Sequence, residues 1–149
     1  MELYDKITNI YGINVEETIK CTIESVKKKL NNLLEERTCK IYSSYLLRAL
    51  KEKHLSAHMI NTKDLGLKFE HLFILIPSNE KEYYLIDLTY SQFGVNIPIM
   101  SQLLSNGYQI INDEVFRIYL KTVLKENYVD GFLLEDVFYS NDNINKLKM

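Results

Sequence analysis

Two cysteines and three histidines are the residues of this chain with the chemistry of a nucleophile and a base. A thiol attacks only as the thiolate, so its position decides whether it reacts. Cys21 falls in the middle of a long helical pattern, where neighbouring N–H groups are committed to the helix ladder, and it reads as a small packing residue. Cys39 falls at the start of a helical stretch, where unpaired N–H groups and the positive end of the helix dipole stabilise a thiolate and can hold a developing oxyanion. A lone cysteine at a helix start is more often structural than reactive, so a base and an acid are needed beside it.

His71 and Asp87 can supply both. Glu70 to Ile76 and Tyr83 to Leu88 read as two strands joined by a five-residue loop, Pro77 to Lys81. Ile76 then faces Glu82 and His71 falls directly opposite Asp87, where cross-strand Cβ atoms lie about 4.5–5.5 Å apart. A slip of one residue would turn the two side chains to opposite faces. A thiol at a helix tip, an imidazole and an orienting carboxylate, in that chain order, are the parts of a Cys-His-Asp acyl-transfer site. His71 takes the thiol proton and returns it to the leaving amine, while Asp87 fixes the imidazole tautomer and favours its charged form. The rivals are His54, which ends a helix, and His58, inside the first strand. A strand-edge histidine is commonly just a satisfied polar residue, and Asp87 can equally cap the turn that Thr89 begins.

These residues need elements to position them. Glu2 to Tyr11 reads as a short helix ended by Gly12, and Asn14 as the N-cap of a helix from Val15 to about Glu36, with Val15, Ile19, Ile23, Val26, Leu30 and Leu33 along one face. After the Arg37-Thr38 junction, Cys39 to Lys53 carries Tyr42, Tyr45, Leu46, Ala49 and Leu50 at helical spacing. Leu55 to Thr62, Glu70 to Ile76 and Tyr83 to Leu88 are apolar, β-branched or aromatic runs split by polar turns, the pattern of three strands. Asn112 caps a further predicted helix to Lys125 bearing Val115, Ile118, Tyr119, Val123 and Leu124, while the last twenty residues show no readable period. Helices, then a strand meander, then a helix predict an α+β fold: one domain, residues 1–149, with N-terminal helices packed on an antiparallel β-sheet.

Composition narrows the partners. Eighteen Lys and Arg against 20 Asp and Glu give a net charge of −2 over 149 residues, with no long single-sign run, so neither nucleic acid nor an anionic membrane surface has electrostatic support. The longest uncharged apolar run, Leu72 to Pro77, is far short of the roughly 20 residues of a membrane span. The first residues, Met1-Glu2-Leu3-Tyr4-Asp5, lack a basic segment followed by an apolar run, which reads as a cytoplasmic protein. Two cysteines are no disulfide framework and no Cys/His pair has zinc-knuckle spacing, so neither a metal nor a cofactor is expected.

Thr38 to Phe93, roughly the middle third of the chain, resembles the core of the transglutaminase-like and papain-like cysteine enzymes, which include transglutaminases, bacterial glutamine deamidases and some peptidases. The residues that carry the resemblance are Cys39-Lys40-Ile41-Tyr42 opening a helix, Glu70-His71-Leu72-Phe73-Ile74 early in a strand, and Ile86-Asp87-Leu88-Thr89-Tyr90-Ser91-Gln92-Phe93 ending the next. The spacings of 32 and 16 residues between Cys39, His71 and Asp87 suit that family. The chain departs from it in having no Gly two residues before Cys39, no Trp after His71 and Leu88 where a Pro is usual. The upstream glutamine that assists the papain-type oxyanion is missing too, since the glutamines are Gln92, Gln102 and Gln109. The resemblance implies a papain/transglutaminase-like core, catalytic residues Cys39, His71 and Asp87, and a protein or peptide substrate. Tyr90 and Gln92 stand where they would line a substrate pocket or simply hold Asp87 in its turn. The alternatives are a non-catalytic protein-binding module using its tyrosines and a redox sensor acting through Cys39.

Overall fold

The computed structural model describes residues 14–29, 39–79, 81–93 and 97–140, with the side chains of 39–42, 92 and 93 not among the described parts. The predicted helix over Glu2 to Tyr11, its Gly12 stop and the segment 30–38 lie outside the described residues.

Helix α1 spans Val15–Lys29. It begins where predicted: Asn14 accepts from the Glu17 amide through its side chain at 2.9 Å and from the Thr18 amide through its carbonyl at 2.9 Å. Glu16 and Glu17 in the first turn and Lys27, Lys28 and Lys29 in the last complement the helix dipole. Ile19, Ile23 and Val26 are buried, whereas Cys21 is exposed, its thiol 3.7 Å from a Glu17 carboxylate oxygen. The packing role read for Cys21 is therefore corrected: two residues past Ile19 is about 200° round the helix, the solvent side.

Helix α2, Cys39–Glu52, packs through Leu46 and Leu50. The chain leaves it at His54, in the left-handed region with φ 66°, and enters β1, His58–Asn61. Strands β2, Leu72–Pro77, and β3, Tyr83–Ile86, follow, and β4, Tyr108–Ile111, comes after the short helix α3, Ser101–Asn106. The four described strands form one antiparallel sheet in the order β1-β2-β3-β4. Helix α4 spans Asp113–Leu124, capped by the Asn112 side chain accepting from the Val115 amide at 3.0 Å, and residues 134–140 form a fifth helix, α5.

Both faces of this sheet are covered, which explains strands apolar on every residue. Ile74, Ile76, Tyr84, Ile86 and Tyr108 pack with Ile19, Ile23, Leu46 and Leu50 of α1 and α2. Phe73, Leu75, Leu85 and Ile111 pack with Phe116, Tyr119 and Leu120 of α4 and with Val137 and Phe138 of α5. The Tyr108 hydroxyl donates to Glu16 at 2.9 Å, tying α1 to the edge strand; burial, then Glu16, pushes this phenol up to about 12.

The β2–β3 register differs from the predicted one. Pro77 pairs with Tyr83 and Ile74 with Ile86, so the five-residue loop is Ser78 to Glu82, one position later than expected. Asn79 sets it: its side-chain oxygen accepts from the amides of Lys81 and Glu82 at 3.2 and 3.1 Å, and its amide group donates to the Glu82 carboxylate at 2.6 Å. Moving the loop by one residue shifts the pairing by two, which preserves the face each side chain points to.

Gly107 ends α3 at φ 85°, donating to the Leu103 carbonyl at 2.9 Å and accepting from the Asp87 amide at 2.9 Å. A Cβ there would stand 2.6 Å from a Leu88 methyl, whereas at Gly66, φ 86°, it would meet nothing within 4 Å. Both positions disfavour L-residues by about 1–2 kcal/mol. Gly107→Ala is therefore expected to destabilise by about 1 kcal/mol more than Gly66→Ala, the cost of displacing Leu88, as read by urea unfolding of the two variants side by side.

Candidate active site

His71 is the residue just before β2, and Thr62 fixes its backbone. The His71 amide donates to the Thr62 hydroxyl at 2.8 Å, the Thr62 amide donates to the His71 carbonyl at 3.0 Å, and the same hydroxyl donates to the Phe69 carbonyl. Asp87 is the residue just after β3. One carboxylate oxygen, Oδ1, accepts from the Thr89 amide at 3.0 Å and from the Thr89 hydroxyl at 2.9 Å, so the turn that Thr89 begins does hold Asp87. The other, Oδ2, lies 2.8 Å from Nε2 of His71 and accepts from the Tyr119 hydroxyl at 2.7 Å. The triangle closes with 3.0 Å between Nε2 and the Tyr119 oxygen.

His71 and Asp87 therefore meet, but not as directly opposed residues. In the observed register Ile74 faces Ile86, which makes them diagonal neighbours beyond the paired residues, and imidazole and carboxylate bridge the extra distance. His71, Phe73 and Leu75 alternate onto the face covered by α4, and this supplies Tyr119. The His71 residue is 1% exposed, Asp87 4% and Tyr119 0%. The rings around them are close: Phe73 meets Tyr119 edge-on at 5.4 Å between centroids and Tyr90 stacks on Tyr119 at 5.9 Å.

Tyr119 was legible as a helix-face residue and not as a member of the site. The available signal was chemical: a tyrosine among Phe116, Leu120 and Val123 carries a hydroxyl that needs a polar partner in the core. Tyr90 is 2% exposed, built into the core behind Tyr119. Burial raises its phenol above the ordinary range, the neighbouring Thr122 side chain draws it back, and the Asp87 charge adds to the rise. It supports the triangle from within the core. The side chain of Gln92 lies outside the described parts.

Cys39 is the first residue of α2, as predicted, and its side chain also lies outside the described parts. The body of α2 packs on the sheet face carrying Ile74 and Ile76, opposite to the face of His71 and Asp87. The rival histidines are placed elsewhere: His54 is exposed where α2 ends, and Nδ1 of His58 lies 2.9 Å from the Phe138 carbonyl with its ring stacked on Phe138 at 4.0 Å. Among the described residues no three Cys, His, Asp or Glu side chains group as a metal site, and no helix is long and apolar enough to cross a membrane.

Comparison of the chain with protein-family models, with curated proteins and with solved structures finds no match. What characterises it is the fold, an α+β domain with an antiparallel sheet between two helical layers, together with the His-Asp-Tyr triangle at one end of that sheet.

Proposed function

We propose that the protein is a cysteine-dependent acyl-transfer enzyme acting on an amide carbonyl of a protein or peptide, with Cys39 as nucleophile, His71 as base and Asp87 as the group that orients it. The observation that carries this reading is the buried contact of 2.8 Å between His71 Nε2 and Asp87 Oδ2, in a chain whose α2 opens on a cysteine. With Nε2 engaged by Asp87, proton exchange with the thiol falls to Nδ1. The resemblance of the Cys39, His71 and Asp87 segments to the transglutaminase-like and papain-like enzymes supports the same assignment.

In this mechanism Nδ1 takes the thiol proton to give a thiolate–imidazolium pair, and the thiolate Sγ then attacks the amide carbon. The C–N bond then breaks, the imidazolium protonates the departing amine, and a thioester remains on Cys39. Water or an amine, deprotonated by His71, attacks the thioester and frees the thiolate, which regains its proton from the imidazolium. A glutamine side chain with water as acceptor makes the enzyme a deamidase, an amine acceptor a transglutaminase, and a peptide bond a protease.

Iodoacetamide tests this reading, with the exposed Cys21 as internal reference. An ordinary thiol at mildly acidic pH is less than about 1% thiolate, so a Cys39 held ionised by an imidazolium should be alkylated about ten- to a hundredfold faster than Cys21, read peptide by peptide in a mass spectrometer. Equal rates would overturn the proposal. Mass spectrometry of candidate partner proteins then separates a deamidated glutamine, a crosslink and a cut chain.

A second reading, a non-catalytic protein-binding module, is favoured by one observation: His71 and Asp87 are 1% and 4% exposed, as in a core polar network. Tyr45 and Tyr139, 54% and 51% exposed, would then serve as contact residues. Equal alkylation of the two cysteines is the outcome that reading expects.

A further inference from the structure

We infer that Tyr119, from the C-terminal part of the chain, is a positioning residue that locks the tautomer of His71 through Asp87; as a statement about catalysis this rests on the reading above. A carboxylate offers about four lone-pair positions and no donor. Asp87 fills them with four donors: the Thr89 amide and hydroxyl on Oδ1, the Tyr119 hydroxyl and His71 Nε2 on Oδ2. An acceptor-only partner at 2.8 Å requires a hydrogen on Nε2. The Tyr119 hydrogen points to Asp87, so its oxygen turns a lone pair toward Nε2, 3.0 Å away. Nε2 thus faces two acceptors, Asp87 Oδ2 and the Tyr119 oxygen, which hold the neutral ring with its hydrogen on Nε2 and its lone pair on Nδ1.

The alternative tautomer would set a bare Nε2 against the Asp87 oxygen. Asp87 alone disfavours it, but a carboxylate oxygen with one donor fewer can shift about its turn. Tyr119 fixes Oδ2 from the helical side, and its own ring is fixed by Phe73 at 5.4 Å and Tyr90 at 5.9 Å. The site is therefore complete only when α4 is docked on the sheet. On the same face Asp113 ties α4 to α5, its side chain accepting from the Leu134 amide at 2.9 Å.

The test is Tyr119→Phe, which keeps the ring and removes the hydroxyl. Nitrogen NMR of the His71 ring, recorded after alkylation of Cys39 removes the thiolate, should show a single Nε2–H tautomer in the wild type and a mixture in the variant. The ratio of Cys39 to Cys21 alkylation by iodoacetamide should fall about tenfold, the equivalent of one hydrogen bond. A merely structural role for Tyr119 would move the urea midpoint and leave both of these unchanged; a variant with one tautomer and an undiminished ratio overturns the inference. If the wild type itself alkylates both cysteines equally, the acyl-transfer reading falls, and the tautomer measurement still decides the role of Tyr119. Should the variant fail to fold, the wild type carries the test: a slowly exchanging Nε2 proton with a through-space contact to the Tyr119 hydroxyl proton is required, and a proton on Nδ1 of the neutral ring overturns the inference.

Discussion

Asp87→Asn is expected to fold and to lose the reactivity advantage of Cys39 altogether, its alkylation falling to the rate of Cys21. Asparagine keeps one oxygen to accept from the Thr89 amide and hydroxyl. Its NH₂ then replaces Oδ2 and confronts two donors, the Tyr119 hydroxyl and Nε2–H, where the carboxylate accepted both at 2.7 and 2.8 Å. The conflict resolves when His71 moves its hydrogen to Nδ1 and lets Nε2 accept from the new amide. The ring is then in place with the wrong nitrogen protonated, and it cannot take a proton from a thiol. In enzymes whose histidine is oriented by an aspartate, this change costs about 10⁴-fold in turnover. Stability should fall by about 1–3 kcal/mol, because one buried donor loses its acceptor. Peptide-resolved alkylation and urea unfolding of the same preparation separate the two effects. A variant that retains the full Cys39 advantage would show that Asp87 does not orient the base.

The pairing of His71 with Asp87 was legible although the register was not. Strand periodicity is two, and a loop displaced by one residue shifts the register by two, so a wrong loop left both side chains on the correct face. The loop was misplaced because Pro77 reads as a turn residue, yet it closes β2 opposite Tyr83 while Asn79 organises the turn. The burial of both sheet faces was foreshadowed by uninterrupted apolar strands, and of their second cover only α4 was legible. Helix α5 has little to mark it in sequence, and β4 is four residues long between Gly107 and Asn112. Cys21 was misread against its own pattern, since Ile19, Ile23 and Val26 already defined the buried face. Tyr119 was out of reach for a different reason: it meets Asp87 from 32 residues away, and long-range side-chain contacts leave no local signature.

Phe73→Ala is expected to produce the largest loss of stability among single changes near the site, about 3–5 kcal/mol. The ring is 0% exposed in the second position of β2, with Phe116 at 5.9 Å and Tyr119 at 5.4 Å, both edge-on, and the His71 ring at 6.4 Å. Its removal combines lost burial with a cavity that a β-strand flanked by β1 and β3 cannot close by moving. A typical domain holds about 5–15 kcal/mol in all, so the alanine variant should sit near its unfolding threshold at room temperature. Phe73→Leu refills most of the volume and should cost about 1–2 kcal/mol, leaving a folded protein in which only the aromatic contacts are gone. Urea midpoints order the two variants. In the leucine variant Tyr119 keeps its hydroxyl and loses the edge contact that holds its ring. If that contact helps to fix the triangle, the Cys39 to Cys21 alkylation ratio should drop there by a smaller factor than in Tyr119→Phe; an unchanged ratio would mean that Tyr90 and Phe116 hold Tyr119 without Phe73.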